Sequence, residues 1–218
     1  MTRWAAALLV LITACSVFAQ TYTYIGALGG IATLSADAGS QRTAQGLALS
    51  SYAPSNGGAL DLLAGIHLHD YFSVQANYIW NRNDLVLNSS TGTGTDYEDA
   101  RSSSQHAGIF DFLVYFRQRD SWIRPYLALG IGVSHLTSSR TLLIASNGTP
   151  ALPPKIFSST GPVLRSHVGI DLKLKPKLYF RYSFSETIGH NEISKNLSPP
   201  GPRKLANFQN LFGFVVRF

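Results

Sequence analysis

Between Phe72 and Trp80 every second residue is apolar: Phe72, Val74, Ala76, Tyr78 and Trp80 alternate with Ser73, Gln75, Asn77 and Ile79. Successive side chains on a β-strand point to opposite sides, so a period of two marks a strand with one oily face and one polar face. The pattern recurs along the chain. Leu60, Leu62, Ala64, Ile66 and Leu68 alternate with Asp61, Leu63, Gly65, His67 and His69. Gly108, Phe110, Phe112, Val114 and Phe116 oppose Ile109, Asp111, Leu113, Tyr115 and Arg117. Leu127, Leu129, Ile131 and Val133 oppose Tyr126, Ala128, Gly130, Gly132 and Ser134. Leu164, Val168, Ile170, Leu172 and Leu174 oppose Arg165, His167, Gly169, Asp171 and Lys173. Leu178, Phe180, Tyr182 and Phe184 oppose Tyr179, Arg181, Ser183 and Ser185, and the last run sets Phe208, Phe212, Phe214, Val216 and Phe218 against Gln209, Leu211, Gly213, Val215 and Arg217. A first run, Tyr22 to Thr33, is Gly-rich and its two faces are ambiguous. Eight runs of about 10–13 residues are long enough to cross a bilayer at a tilt.

The connections alternate in length. His69 to Tyr71, Gln118 to Trp122 and Lys175 to Lys177 are tight turns. The gaps at Leu34–Gly57, Asp84–Ser104, Thr137–Thr160 and His190–Leu205 are long and rich in Ser, Thr, Asn, Gly and Pro, and read as exposed loops. Long loops on one side and short turns on the other predict an all-β, eight-stranded antiparallel up-and-down transmembrane β-barrel. Aromatic residues fall where interfacial girdles belong. Tyr22, Tyr71, Phe72, Phe116, Trp122, Tyr126, Tyr179 and Phe218 lie near the turns; Tyr78, Trp80, Phe184 and Phe208 lie near the loops. A soluble barrel would turn a polar face dense in Lys and Glu outward, but only 14% of these residues are charged, against roughly 25% in an average soluble domain. A single Cys excludes a disulfide scaffold or a Cys-built zinc site.

Residues 1–19 read as a cleaved signal peptide and 20–218 as the barrel. Arg3 supplies the positive start, Trp4 to Ile12 an apolar run, and Val17-Phe18-Ala19 a small-residue cleavage site. Ile12-Thr13-Ala14-Cys15 also looks like a lipobox, in which Cys15 would carry lipid. Beyond residue 20 no apolar run reaches the ~18 residues of a spanning helix.

With this pattern the chain resembles the small outer-membrane β-barrels of Gram-negative bacteria, the eight-stranded OmpA/OmpX/OmpW type. The sharpest resemblance is at Leu211 to Phe218, which looks like the assembly signal of that class. Gly213, Phe214, Val216 and the terminal Phe218 fit, while Leu211 stands where a polar residue is usual. The resemblance implies recognition by the barrel-assembly machinery and contact with outer-membrane lipid; the peptidoglycan-binding domain that follows the barrel in some relatives is not expected here. It also implies a non-enzymatic role in envelope structure or in surface-loop interactions, with a narrow pore or small-molecule transporter as one alternative and a lipid A-modifying barrel enzyme as a second.

Inward charges are expected at Asp61, His67, Asp111, Arg117, Arg165, His167, Asp171, Lys173, Arg181 and Arg217. Eight strands enclose a lumen just wide enough for side chains. Buried charges must pair or meet water, so these residues read as a plug, or else as the lining of a gated pore or pocket. Ser185, Glu186, His190, Glu192 and Ser194 cluster near the start of the fourth loop. Barrels that modify lipid A use a Ser–His pair, and a serine hydrolase needs its base within hydrogen-bonding reach of the hydroxyl. The familiar deacylase spacing is two; His190 and Ser194 are four apart, and solvated loop residues are the simpler reading. His106 and His135 read as interfacial. Six scattered His offer no metal-ligand spacing, so neither a metal nor a cofactor is expected. Two matches to the glycosylation sequon, at Asn88 and Asn147, carry little weight in a bacterial barrel. The net charge of +6 is spread without a basic stripe, which argues against nucleic acid as a partner and leaves the long loops as the surface for an extracellular ligand.

Overall fold

A computed structural model describes residues 21–44, 46–92, 94–146, 152–202 and 204–218. The candidate signal peptide with Cys15, and the Asn147 sequon, lie outside the described residues. Among the described residues ten strands form in chain order: β1 (Tyr22–Leu34), β2 (Asp37–Thr43), β3 (Gly46–Pro54), β4 (Gly57–His67), β5 (Phe72–Thr91), β6 (Gly94–Tyr115), β7 (Ile123–Ala145), β8 (Ile156–Lys175), β9 (Leu178–His190) and β10 (Lys204–Arg217). A short helix, α1 (Glu192–Lys195), lies between β9 and β10.

Eight of these strands close a ring, β1-β4-β5-β6-β7-β8-β9-β10, every neighbouring pair antiparallel. The closing seam pairs the first strand with the last, from Tyr24 opposite Arg217 to Leu34 opposite Asn207. Closure leaves no unpaired edge at membrane depth, where no water could satisfy it. The Gly-rich β1 resolves with Tyr24, Leu28 and Ala32 inside and Ile25 and Ile31 outside.

Outside, an apolar belt runs around the ring through Ile25, Leu62, Phe72, Phe110, Phe112, Leu129, Ile131, Leu164, Phe212 and Phe214. Burying these side chains was not an option for the fold, because the inner face is already filled; they suit a hydrocarbon environment. Two of the expected girdle residues belong elsewhere. Tyr126 and Tyr179 are 1% exposed and point into the lumen, because they share parity with Ala128 and with Arg181 rather than with the outward apolar set.

Most of the first three long gaps are strand, not loop. β2 and β3 form a hairpin paired to the far half of β5, and β5, β6, β7 and β8 run well past the belt. The reason is visible in β5. Through Trp80 the even positions are apolar and face out. From Arg82 the even positions are mostly polar, Arg82, Asp84 and Asn88 with Val86 the exception, and apolar residues enter the odd ones at Leu85 and Leu87, each at most 1% exposed. The same sheet therefore changes solvent along its length. Near the turns it presents oil to lipid; beyond the belt much of its outer face is polar and a small core lies within.

That second core contains Leu34, Tyr52, Leu85, Leu87, Tyr97, Leu136, Phe157 and Leu205, joined by Ile193 and Leu197 from the connection between β9 and β10. Beyond the belt the wall is an open sheet bounded by β2 and β8, and α1 contacts both. Asn191 caps α1 by accepting from the Ser194 backbone N–H at 2.9 Å. Ser89 Oγ donates to the Ser198 carbonyl at 2.8 Å, and Ser50 Oγ and Ser194 Oγ donate to the carbonyls of Pro199 and Pro202. Ile193 and Leu197 thus stopper the loop-side mouth.

Candidate functional site: the barrel lumen and its rim

The interior is a polar network that spans the barrel at several heights. Nearest the turns, Arg181 Nε donates to Asp171 Oδ1 at 2.6 Å and Nη1 reaches across to Gln75 Oε1 at 2.8 Å. Tyr24, Tyr115 and Tyr126, each at most 2% exposed, pack around it. Arg124 lies 3.8 Å over the Tyr115 ring and Arg217 3.7 Å over Tyr179, so guanidinium groups stack on aromatic faces at this end. His67 sits between Tyr24 and Tyr115, at ring-centroid distances of 4.8 and 5.5 Å.

At mid-height, Arg165 bridges two carboxylates, Nη2 to Asp61 Oδ2 and Nη1 to Asp111 Oδ2, both at 3.1 Å. Asn77 Nδ2 donates to the same Asp111 oxygen at 2.7 Å. His167 Nε2 lies 3.1 Å from it without an aligned hydrogen bond, and its Nδ1 meets Ser183 Oγ at 3.2 Å. Higher still, Gln209 Nε2 donates to Asn81 Oδ1 at 3.0 Å and Asn207 Nδ2 to Gln105 Oε1 at 2.7 Å. Above that level a void of about 10 Å³, lined in part by Gln105, Ser134 and Leu136, has room for about one water.

Tight strand approaches set the shape of this network. A Cβ on Gly130 would lie 1.8 Å from Asp111 Oδ1, so glycine there makes room for the carboxylate. Tyr24 and Tyr126 lie over their cross-strand partners Gly65 and Gly169, where a Cβ would come within 2.4 Å of the ring or hydroxyl.

Asp61, His67, Asp111, Arg165, His167, Asp171 and Arg181 are therefore brought together inside the barrel. Arg117 is not. β6 ends at Tyr115, and Arg117 lies exposed in the turn that follows, because continued alternation has no meaning once the strand has ended. Lys173 is at the rim, 4.0 Å from the exposed Asp120. Arg217 is buried beside Tyr179. Alternation alone missed Arg124, which shares parity with Tyr126 but is separated from it by Pro125.

Outside the belt, Asp99 is fully buried between two arginines: Arg101 Nε at 3.0 Å and a two-pronged contact from Arg140 at 3.0 and 3.1 Å. Burial pulls the Arg101 guanidinium below its ordinary value and Asp99 pushes it back up. Burial likewise raises the Tyr97 phenol, so it stays neutral there at neutral pH.

The serine and histidine cluster does not assemble as a triad. Ser185 Oγ faces the lumen and donates to Gln209 Oε1 at 3.0 Å; Ser194 Oγ meets Pro202. His190 pairs with Glu192 at 2.9 Å, and neither serine hydrogen-bonds to it among the described residues. No group of three or more His, Cys, Asp or Glu is placed to hold a metal among the described residues. Gly213 sits at the closing seam, where a Cβ would come within 2.0 Å of the Ala27 carbonyl oxygen, while Phe214, Val216 and Phe218 face outward.

The fold is similar to that of the outer membrane protein OprG from Pseudomonas aeruginosa, with a TM-score of 0.50, 15% identity, and coverage of 90% of this chain and 96% of that one. Ail, the attachment invasion locus protein of Yersinia pestis, aligns with a TM-score of 0.45, 11% identity, and 91% and 97% coverage. Neisserial surface protein A aligns with a TM-score of 0.44, 13% identity, and 92% and 98% coverage. No family model matches the sequence, and no curated protein matches it. At such identities the likeness to OprG is one of fold, and it agrees with the closed ring of eight antiparallel strands.

Proposed function

We propose that this chain is a closed outer-membrane barrel that acts through its outward surfaces, as an envelope or surface-interaction protein, rather than through a channel or a catalytic centre. The observation that carries this reading is the Arg165 bridge to Asp61 and Asp111, with all three side chains at most 1% exposed. Breaking buried ion pairs is costly, so such a bridge keeps a lumen filled. The apolar stopper of Ile193 and Leu197 adds a second closure. Beyond the belt, Leu47, Leu49, Leu142, Ile144 and Ile156 remain 46–61% exposed on strand surfaces. Large apolar side chains left in water mark contact surfaces, which supports an extracellular partner. The seam strand ending in Gly213 to Phe218 suits recognition by the barrel-assembly machinery.

Purified protein in planar bilayers tests this reading. No stepwise conductance above the lipid baseline is expected. Reproducible open-channel steps would move the chain to the narrow-pore alternative. A folded barrel should also migrate differently on gels before and after boiling, and a boiling-insensitive soluble protein would end the membrane reading.

A further inference from the structure

Two histidines face each other on the outside of the wall. His106 on β6 is the register partner of His135 on β7, and both are exposed. Each ring is held at both nitrogens. Tyr78 Oη lies 2.8 Å from His106 Nδ1 and Ser104 Oγ 3.2 Å from its Nε2. Thr160 Oγ1 lies 2.7 Å from His135 Nδ1 and Thr137 Oγ1 3.1 Å from its Nε2. Ser104 and Thr137 are themselves register partners, so the two clamped rings stand side by side on adjacent strands at one height. Arg82 is the partner of Ser104 on the other side, exposed and without an ion pair among the described residues. The nearest outward anion in sequence is Asp84, one outward position further from the belt.

Depth decides what this cluster can meet. Ten positions separate Phe116 from His106; at ~3.4 Å per residue and a tilt of ~40° they rise ~26 Å, close to the ~25 Å height of an outer-membrane apolar band. The pair therefore lies where acyl chains end and headgroups begin. Directly below it, Gly108 faces outward between Tyr78 and Val133, with nothing within 4 Å of where a Cβ would be. That notch leaves room for a hydrocarbon chain beneath the polar cluster.

We propose that His106, His135, Arg82 and the hydroxyls of Tyr78, Ser104 and Thr137 bind the phosphate of an outer-leaflet lipid headgroup, with an acyl chain lying over Gly108. Each neutral imidazole spends its one N–H and its one acceptor nitrogen on the two hydroxyls that clamp it, so one O–H per ring is left to donate to a phosphate oxygen, and the Arg82 guanidinium offers the planar fork that phosphate accepts best. Arg82 supplies a fixed positive charge, and the two rings are already oriented by their hydroxyl clamps. The proposal rests on the membrane-spanning reading, which gel heat-modifiability tests separately.

The test uses folded protein in phosphatidylcholine nanodiscs. Imidazole resonances of ¹⁵N-histidine-labelled protein are followed while lipid A carrying its phosphates, lipid A stripped of them, inorganic phosphate or Zn²⁺ is added. Saturable shifts of His106 and His135 with phosphorylated lipid A only are expected. His106→Gln/His135→Gln and, separately, Arg82→Gln should each cut lipid A retention in native mass spectra at least tenfold while keeping heat-modifiable migration. Equal shifts with the stripped lipid would overturn the proposal, as would equal shifts with inorganic phosphate at matched concentration. A response to Zn²⁺ alone would make the pair a metal site and also defeat it. Undiminished retention by either folded variant would do the same.

Discussion

Arg165 Nη2 lies 3.1 Å from Asp61 Oδ2, and the pair joins β8 to β4, which stand four places apart in a ring of eight and so face each other across the lumen. Arg181 to Gln75 joins β9 to β5 in the same way, and Asn207 to Gln105 joins β10 to β6. The barrel is cross-braced along successive diameters. The inner face also carries apolar clusters, among them Leu28, Leu63, Leu211 and Val215, and the polar network ties the opposite walls together across the spaces between them.

The first prediction concerns this brace. Arg165→Met leaves Asp61 and Asp111 facing each other in a dry site and should lower stability by about 3–5 kcal/mol. Asp61→Asn with Arg165→Met should be less damaging than the sum of the singles, with a coupling of about 0.5–3 kcal/mol. Urea unfolding in lipid vesicles measures both. Additive effects would mean that the two groups do not interact.

A second prediction separates closure from recognition at the last strand. Gly213→Val places side-chain atoms where only 2.0 Å is free before the Ala27 carbonyl, so β10 cannot approach β1. This variant should fail to fold even in vesicles that contain no assembly machinery. Phe214→Ala removes an outward ring, 53% exposed, and should fold in the same vesicles. Equal folding of both would show that the seam tolerates a side chain at Gly213.

Ile193 offers a third. It is fully buried in the core beyond the belt, and Ile193→Ala should cost that core about 2–5 kcal/mol. The loss is local, because the lumen network is separate. Limited proteolysis should cut sooner within residues 191–202, while heat-modifiable migration and the lack of conductance persist. Conductance appearing in this variant would show that the stopper, not the lumen network, is the seal.

The ring, its parity and most of its inner charges were legible because alternation is strict where lipid meets one face. Legibility failed where the solvent changed. Leu85 and Leu87 are the inward apolar residues of β5, but they follow the opposite parity from Phe72 to Trp80 and so look like a broken pattern. A register shift between Ala100 and Arg101 lets Leu142 and Ile144 face outward beyond the belt, erasing the alternation of β7 there. Ile193 and Leu197 are isolated apolar residues in a polar stretch, and nothing local says what they fill. Arg117 failed for the opposite reason: the pattern runs on, but the strand has stopped. The His106–His135 pairing depends on the register of β6 against β7, which periodicity does not specify.

The last prediction locates the membrane on the wall itself. Leu129 and Leu142 both lie on β7 and are similarly exposed, 65% and 59%. On the same scale from Phe116, Leu129 is level with its partner Phe112, four positions and ~10 Å up the wall, near the middle of the apolar band; Leu142 is level with Ala100, sixteen positions and ~42 Å up, outside it. In water the two sites would respond alike to a charge. In a bilayer, Leu129→Arg should cost about 2–4 kcal/mol and Leu142→Arg close to ~0. Reversible unfolding in vesicles gives the two values directly. Equal costs would mean that the belt does not face hydrocarbon, and the depth assigned to His106 and His135 would fall with it.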